Sequence, residues 1–401
     1  MRKRIKQSKS STANLCKINK INLNIMEVIT FNAEQLLQNQ LKDVGLITGV
    51  PCSFFKGMIN AAINEGRYLP AVDEGAAIAI ATGYQISSGK KALVLMQNSG
   101  VGNAVSPLTS LNYVFKEPLT LMVSRRGGEN DEPQHELMGT VDYKILENSG
   151  VQCVQITDAV TVNHSHERLS FCYLVPKGTF APVKLEERLL EKIPTTSKHV
   201  REPFTTATLS RLEAIRSIVS TIQDAAAKTG EKYVFIATTG FTGRELWSEF
   251  DSEHNLYMVG SMGCALPLGL GMAIGNQKVK VVVIDGDGAL LMRTGSMGTV
   301  AEYNPSNLIH ICLDNKQYST TGGQSRGCRG VCWGSLAAAF GYHETYSVNT
   351  SIEICNAVES SFNSPNASFI HIPIVPGNAE VGRPDKKPFE VKERLINYLR
   401  K

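Results

Sequence analysis

The sequence predicts an α/β protein built from two doubly wound parallel-sheet domains. Val281 to Ile284 and Leu308 to Leu313 are short β-branched runs of the kind buried on both faces of a parallel sheet, and a helix-length segment separates them. Earlier runs, Lys91 to Met96 and Pro118 to Ser124, repeat the pattern. Between the two sets, Ala181 to Glu202 turns polar and charged, which marks a linker. The 401-residue chain thus divides into a basic extension (1–26), a first domain (27–180), a linker (181–204) and a second domain (205–401). A hydrophobic content of 42% suffices for two ordinary cores.

The formal charge of +4 comes from the extension. Residues 1–26 hold seven basic side chains and no acidic one, leaving 34 basic residues (41 less those seven) against 37 acidic in the remainder. The body is slightly acidic, so no nucleic-acid partner is implied. The extension reads as a disordered arm, an upstream start ahead of Met26, or a transit peptide to an organelle. Nine scattered cysteines fit a reducing compartment, and a cytoplasmic location is expected. Cys328 and Cys332 lack a second ligand pair for zinc. Leu256 to Gly275 is uncharged and long enough to cross a bilayer, but its glycines and Pro267 predict a buried turn and a closely packed helix, with no membrane span.

In the first domain, Leu36, Leu37, Leu41 and Val44 recur at helical spacing over Asn32 to Val44, and Ile47 to Val50 follows as a strand. Just past it, the segment TGVPCSFFKG presents Cys52, Ser53 and Lys56, as a helix cap and surface lysine or as groups facing a ligand. Glu74 opens an Ala-rich helix running toward Tyr84, where a carboxylate suits the helix dipole. The small residues of that helix point to close packing against another backbone. Beyond the strand ending at Ser124, one loop concentrates Arg125, Arg126, Glu129, Asp131, Glu132 and His135. Clustered charge of this kind suits a solvated surface or a strand-end site. Cys172 to Thr179 reads as the last strand of this domain.

The second domain opens with a helix around Leu212 to Ile222 and a strand, Tyr233 to Ile236, that delivers Thr238, Thr239, Gly240, Thr242 and Arg244 to its end. Asp285-Gly286-Asp287-Gly288 breaks the next strand, and Asn315 ends the one after, twenty-eight residues beyond Asp287. In open α/β sheets ligands bind beyond the carboxyl ends of strands. Asp287 and Asn315 offer hard oxygen ligands suited to Mg²⁺, while Gly286 and Gly288 let a backbone approach a phosphate; the same tetrapeptide also reads as a tight turn. Lys316, Ser319, Thr320, Gly322, Gly323 and Arg326 then form an anion-compatible or merely mobile loop. A helix near Ser335, a strand at Thr345 to Val348, a helix at Ile352 to Ser361, a strand at Ser368 to Ile374 and a final helix near Leu395 to Leu399 complete the domain.

The GDG motif with its following Asn resembles the diphosphate and metal motif of thiamine diphosphate (ThDP) enzymes. Glu74 with its small-residue helix ending in Gly-Tyr is similar to their pyrimidine-binding domain, although Asp73 stands where many relatives have His. The blocks DEPQH, TGVPCS, VPKGTF and ATTGFTGREL resemble the phosphonopyruvate decarboxylase family, from about Phe31 to the C-terminus. This resemblance implies ThDP and Mg²⁺ as cofactors, with Asp287, Asn315 and the Gln317 carbonyl on the metal and Gly286 and Gly288 at the diphosphate. Met262, within GSMGCALPLG, would bend the cofactor, Glu74 would contact its aminopyrimidine, and His135 would manage a proton on the intermediate. The implied reaction converts 3-phosphonopyruvate, a small 2-oxo acid, into 2-phosphonoacetaldehyde and CO₂, in phosphonate biosynthesis. Ser53, Lys56, Arg125, Arg126 and Arg326 are the substrate-binding candidates. The implied assembly is a homodimer or larger homo-oligomer with active sites shared between chains. Sulfopyruvate decarboxylase is the nearest alternative, followed by an acetolactate synthase-like carboligase and a non-catalytic protein of the same fold.

Overall fold

The computed structural model describes residues 30–128, 131–156, 160, 170–186, 198–199, 206–328 and 330–401. The basic extension, Glu129 and most of the expected linker lie outside the described residues. Two parallel sheets organise the chain. The first is formed by β1 (Val44–Gly49), β2 (Tyr68–Pro70), β3 (Lys91–Gln97), β4 (Thr120–Ser124), β5 (Val151–Gln155) and β6 (Ser170–Val175), in the order β2-β1-β3-β4-β6-β5. The second contains β7 (Lys198–His199), β8 (Lys232–Ala237), β9 (Asn255–Tyr257), β10 (Val279–Gly286) and β11 (Leu308–Asp314). After a small hairpin of β12 (Gln317–Tyr318) and β13 (Gln324–Ser325), it is completed by β14 (Glu344–Ser347) and β15 (Ser368–Pro373). Its order is β7-β14-β15-β11-β10-β8-β9.

The central strands read as near-continuous apolar runs because both faces are covered. In β3, Leu93 and Leu95 enter one core with Leu37, Phe55 and Met58, while Val94 and Met96 enter the other with Ile78 and Leu121. That second core is continuous across both halves of the chain. Its seam is the contact between helix Glu74–Ser88 and helix Ala265–Gly275, and it is close because both helices present glycine there. A Cβ on Gly83 would lie 2.0 Å from the Leu268 carbonyl oxygen, and one on Gly271 would lie 2.0 Å from that of Ile80. The close backbone packing expected for the Glu74 helix is therefore made within one chain, so that face is not open to a partner subunit.

Several boundaries differ from expectation. Val44 starts β1 and is not the end of the first helix, which is Ala33–Asn39; Asn32 caps that helix, its side chain accepting from the Gln35 amide at 3.0 Å. Helix Glu136–Asn148 takes over the end of the charged loop after β4. Lys198 and His199, inside the expected linker, pair in parallel with β14 at the edge of the second sheet. Strands β2, β5 and β9 had no counterpart in the sequence reading. No described helix is long and apolar enough to cross a membrane, and the uncharged stretch near Pro267 is the buried helix Ala265–Gly275.

Candidate active site

The second sheet places its chemistry at the carboxyl ends of β8, β10 and β11. Strand β10 runs to Gly286, and the next residue, Asp287, starts helix Asp287–Met292. Asp287 is only 3% exposed, and its Oδ2 meets Arg326 Nη1 at 3.3 Å without forming a hydrogen bond. Gly288 has to lack a side chain, since a Cβ there would lie 2.4 Å from the Tyr318 ring. At the end of β11, Asn315 is buried; its Nδ2 donates to Ser319 Oγ at 2.6 Å and its Oδ1 accepts from the Gln317 amide at 3.2 Å. Met262, Gly286, Asp287, Gly288, Asn315 and Gln317 all line one cleft, together with Thr238 to Thr242. The enclosed volume is about 80 Å³, and no residue of the first half lines it. A typical ligand pocket encloses roughly 300–1,000 Å³. The cleft fits the charged end of a cofactor, with the remaining walls supplied from elsewhere.

Its electrostatics call for a cation. Burial, with the adjacent Asp314 carboxylate, pushes the Asp287 carboxyl well above its ordinary range. Burial acts in the same direction on Asp314, but hydrogen bonds from His371 and Asp287 outweigh it and hold that group low. Two neighbouring buried carboxyls, Asp287 after β10 and Asp314 at the end of β11, and the amide oxygen of Asn315 make a hard oxygen donor set fitting Mg²⁺. Arg326 lies beneath them, 5% exposed, with Nη1 3.3 Å from both Asp287 and Asp314 and its guanidinium over Trp333. Expected at the substrate, Arg326 is instead enclosed among these carboxylates. Asp314 was missed in the sequence, although an acidic residue immediately before the strand-end Asn was a visible signal.

The first sheet gathers the other candidates at its own carboxyl edge. Glu74 begins its helix, is 8% exposed, and accepts from Asn103 Nδ2 at 2.8 Å. Gly100 makes room for it, since a Cβ at that position would lie 2.0 Å from Glu74 Oε1. Asp73 caps the helix by accepting from the Ala76 amide and also pairs with Arg293 of the second half. Cys52 Sγ lies 3.1 Å from Ser124 Oγ, with Ser53 and Lys56 exposed beside it. Arg125 leans on buried Asp142 at 3.6 Å and donates to the Gly139 carbonyl. Arg126 lies over Phe54 and pairs with both Asp131 and Glu132, holding the Asp131 carboxyl below the usual carboxylate range. His135 is buried, its Nε2 3.3 Å from Glu132 and its Nδ1 unpartnered. Asp131, Glu132 and His135 converge closely enough to hold a metal, but Arg126 already pairs with both carboxylates.

Comparison with known proteins matches both halves. The family model "Thiamine pyrophosphate enzyme, N-terminal TPP binding domain" covers residues 31–146, and "Thiamine pyrophosphate enzyme, C-terminal TPP binding domain" covers residues 246–372. The chain is 35% identical over 371 residues to phosphonopyruvate decarboxylase of Streptomyces hygroscopicus, spanning 88% of this chain and 90% of that protein. It is 27% identical to sulfopyruvate decarboxylase of Methanosarcina acetivorans, over 92% of this chain and 98% of the relative. Benzoylformate decarboxylase from Polynucleobacter necessarius superposes with a TM-score of 0.61 over 87% of this chain and 99% of that one; at 13% identity this speaks to the fold alone. The chain belongs to the phosphonopyruvate decarboxylase family and is a thiamine diphosphate-dependent decarboxylase.

Proposed function

We propose that the substrate is 3-phosphonopyruvate, converted to 2-phosphonoacetaldehyde and CO₂ with Mg²⁺ as the metal, as a step in phosphonate biosynthesis. The observation that carries this reading is the 35% identity extending through both halves to a phosphonopyruvate decarboxylase, against 27% for the full-length sulfonate-acting relative. When bound, ThDP supplies a thiazolium carbon that adds to the keto group and accepts the electrons released with CO₂. In this reading residues 27–180 form the pyrimidine-binding domain, and residues 205–401 the diphosphate-binding domain.

Asp287, Asn315 and the Gln317 carbonyl would hold Mg²⁺, whose charge would let the buried Asp287 carboxyl ionise beside Asp314. Gly286 and Gly288 would leave the backbone open toward the diphosphate, and Met262 would support the cofactor from the cleft wall. Glu74, fixed by Asn103, holds a proton at the pyrimidine ring nitrogen. His135 has a buried, unpartnered Nδ1 and serves as proton donor near the substrate. The cleft draws all its walls from the second half, while Glu74 faces Asn103 and Gly100 of the first. This separation supports a homodimer or larger homo-oligomer in which each site takes Glu74 from one chain and Asp287 from another.

Incubating the purified protein with ThDP and Mg²⁺ against phosphonopyruvate, sulfopyruvate and pyruvate, with CO₂ as the readout, tests the substrate. Phosphonopyruvate should give the highest kcat/KM. A higher value for sulfopyruvate would transfer the assignment to the sulfonate.

A further inference from the structure

A phosphonate carries nearly two negative charges at neutral pH and needs cationic donors close by. The arginines expected to supply them are engaged elsewhere, Arg125 with Asp142, Arg126 with Asp131 and Glu132, and Arg326 with Asp287 and Asp314, and the expected Lys56, exposed on the first half, brings a single charge. A guanidinium whose charge is already matched by carboxylates has little left for a dianion. A second cavity, of about 340 Å³, adjoins the cofactor cleft and shares Thr239 and Gly240 with it as a common wall. Arg244, Arg383 and Lys386 line this cavity.

Among the described residues, no carboxylate pairs with Arg244 or Arg383. The acidic groups nearest Arg244 are committed, Glu245 to Arg211 at 2.8 Å and Asp251 to Arg394 at 2.6 Å, while Asp385, next but one to Arg383, is 82% exposed. Lys386 makes a loose, solvent-exposed contact with Asp385 at 3.9 Å and lies over the Trp247 ring, 5.4 Å from its centroid. Arg244 is held over the Phe241 ring, 4.9 Å from its centroid, in the first turns of helix Phe241–Phe250. That ten-residue helix starts at Gly240, in the shared wall, without a capping side chain.

We propose that Arg244 and Arg383, with Lys386 at the rim, form the subsite for the phosphonate group of the substrate. This rests on the reading of phosphonopyruvate as that substrate. One methylene separates the phosphorus from the keto carbon, so the phosphonate has to bind close beside the reacting centre, and this cavity shares the Thr239–Gly240 wall with the cofactor cleft. Two guanidinium groups match a dianion better than a singly charged sulfonate, which ties selectivity to this pair.

The test uses full-length protein loaded with ThDP and Mg²⁺, and the variants Arg244→Gln and Arg383→Gln. Each should lower kcat/KM for phosphonopyruvate by about 100-fold, chiefly through KM, the loss expected for removing one partner of a charge-paired contact. ThDP affinity, melting temperature and kcat/KM for pyruvate should stay within about threefold or a few degrees of wild type. Isothermal titration with 3-phosphonopropionate, which has no keto group to react, should show binding to wild type and its loss in both variants. Unchanged phosphonopyruvate kinetics would put the phosphonate elsewhere, and a parallel fall in ThDP affinity would assign the arginines to the cofactor. Lowered melting with equal losses on both substrates would make their role structural. If wild type does not decarboxylate phosphonopyruvate, the substrate reading fails by itself; the 3-phosphonopropionate titration still decides the subsite, and no binding to wild type overturns it.

Discussion

Gly271→Ala tests whether the two halves are locked together by backbone contact. The added Cβ would lie 2.0 Å from the Ile80 carbonyl oxygen and 2.9 Å from the Tyr84 nitrogen, where ordinary contact begins near 3.4 Å. The obstacle is backbone on both sides, so no rotamer change relieves it, and the two helices must separate by roughly 1.4 Å. Overpacking of this kind costs about 1–3 kcal/mol, with the upper end expected because the neighbours are rigid. The gain in helix propensity from Gly to Ala offsets about 1 kcal/mol, leaving a net loss of about 2 kcal/mol. Gly83→Ala meets the Leu268 carbonyl in the same way and should cost a similar amount. A single parting of the helices relieves both clashes, so the double variant should lose less than the sum of the two. Denaturant midpoints at constant m provide the measurement, with Gly102→Ala as the control, because a Cβ there meets nothing within 4 Å. Turnover should fall more than stability, since Glu74 rides on the displaced helix. A Gly271→Ala protein as stable as wild type would refute the close-seam account.

The parts of this molecule legible in the sequence are those written locally. The Asp-Gly-Asp-Gly break after a β-branched strand puts Asp287 at a strand end whatever the rest of the chain does, and Glu74 opens its helix because Asp73 is a good cap. Apart from the β12–β13 hairpin, the strands that the sequence does not mark, β2, β5, β7 and β9, are the four edges of the two parallel sheets. An edge strand has one neighbour and need not be apolar on both faces; Val151–Gln155 leaves three of its five residues outside the core and so lacks the signature of a buried run. Pairing across long sequence distance was equally invisible. The partners of Glu74, Asp73 and Asp287, namely Asn103, Arg293 and Arg326, stand in segments with no local reason to meet them. Arg125, Arg126 and Arg326 read as free charge for an anion because a sequence shows charge and not its neutralisation. The structure separates committed arginines from uncommitted ones and shifts attention to Arg244 and Arg383.

Asp287→Ala should abolish ThDP binding at saturating Mg²⁺, by removing the charged hard ligand; wild-type affinity in a fluorescence titration would contradict the metal assignment. His254, packed against Tyr233 and Tyr398, has its imidazole pushed down to about 4 by burial. Below its ordinary value near 6.5 the unfolded chain takes up a proton that the folded chain refuses, so this contribution is intact above pH 6.5 and is lost as the pH falls toward 4. Discounted for partial exposure, the loss is about 2 kcal/mol, and His254→Phe should flatten the fall in denaturant midpoint between pH 7.5 and 4.5. Glu74→Gln should retain ThDP but lose turnover, and its thiazolium proton should exchange into deuterated water far more slowly than in wild type. That variant also decides the architecture of the site. In a shared site, mixing inactive Glu74→Gln with inactive Asp287→Ala chains produces dimers in which one site carries both native residues and the other neither, so activity returns toward half of wild type per mixed dimer. In a site built within one chain every site stays defective, and no activity returns even after subunit exchange is demonstrated. Because the small-residue face of the Glu74 helix is spent on the chain's own Ala265–Gly275 helix, the partner must approach from the carboxyl edges of the sheets, where both the cleft and Glu74 remain to be completed.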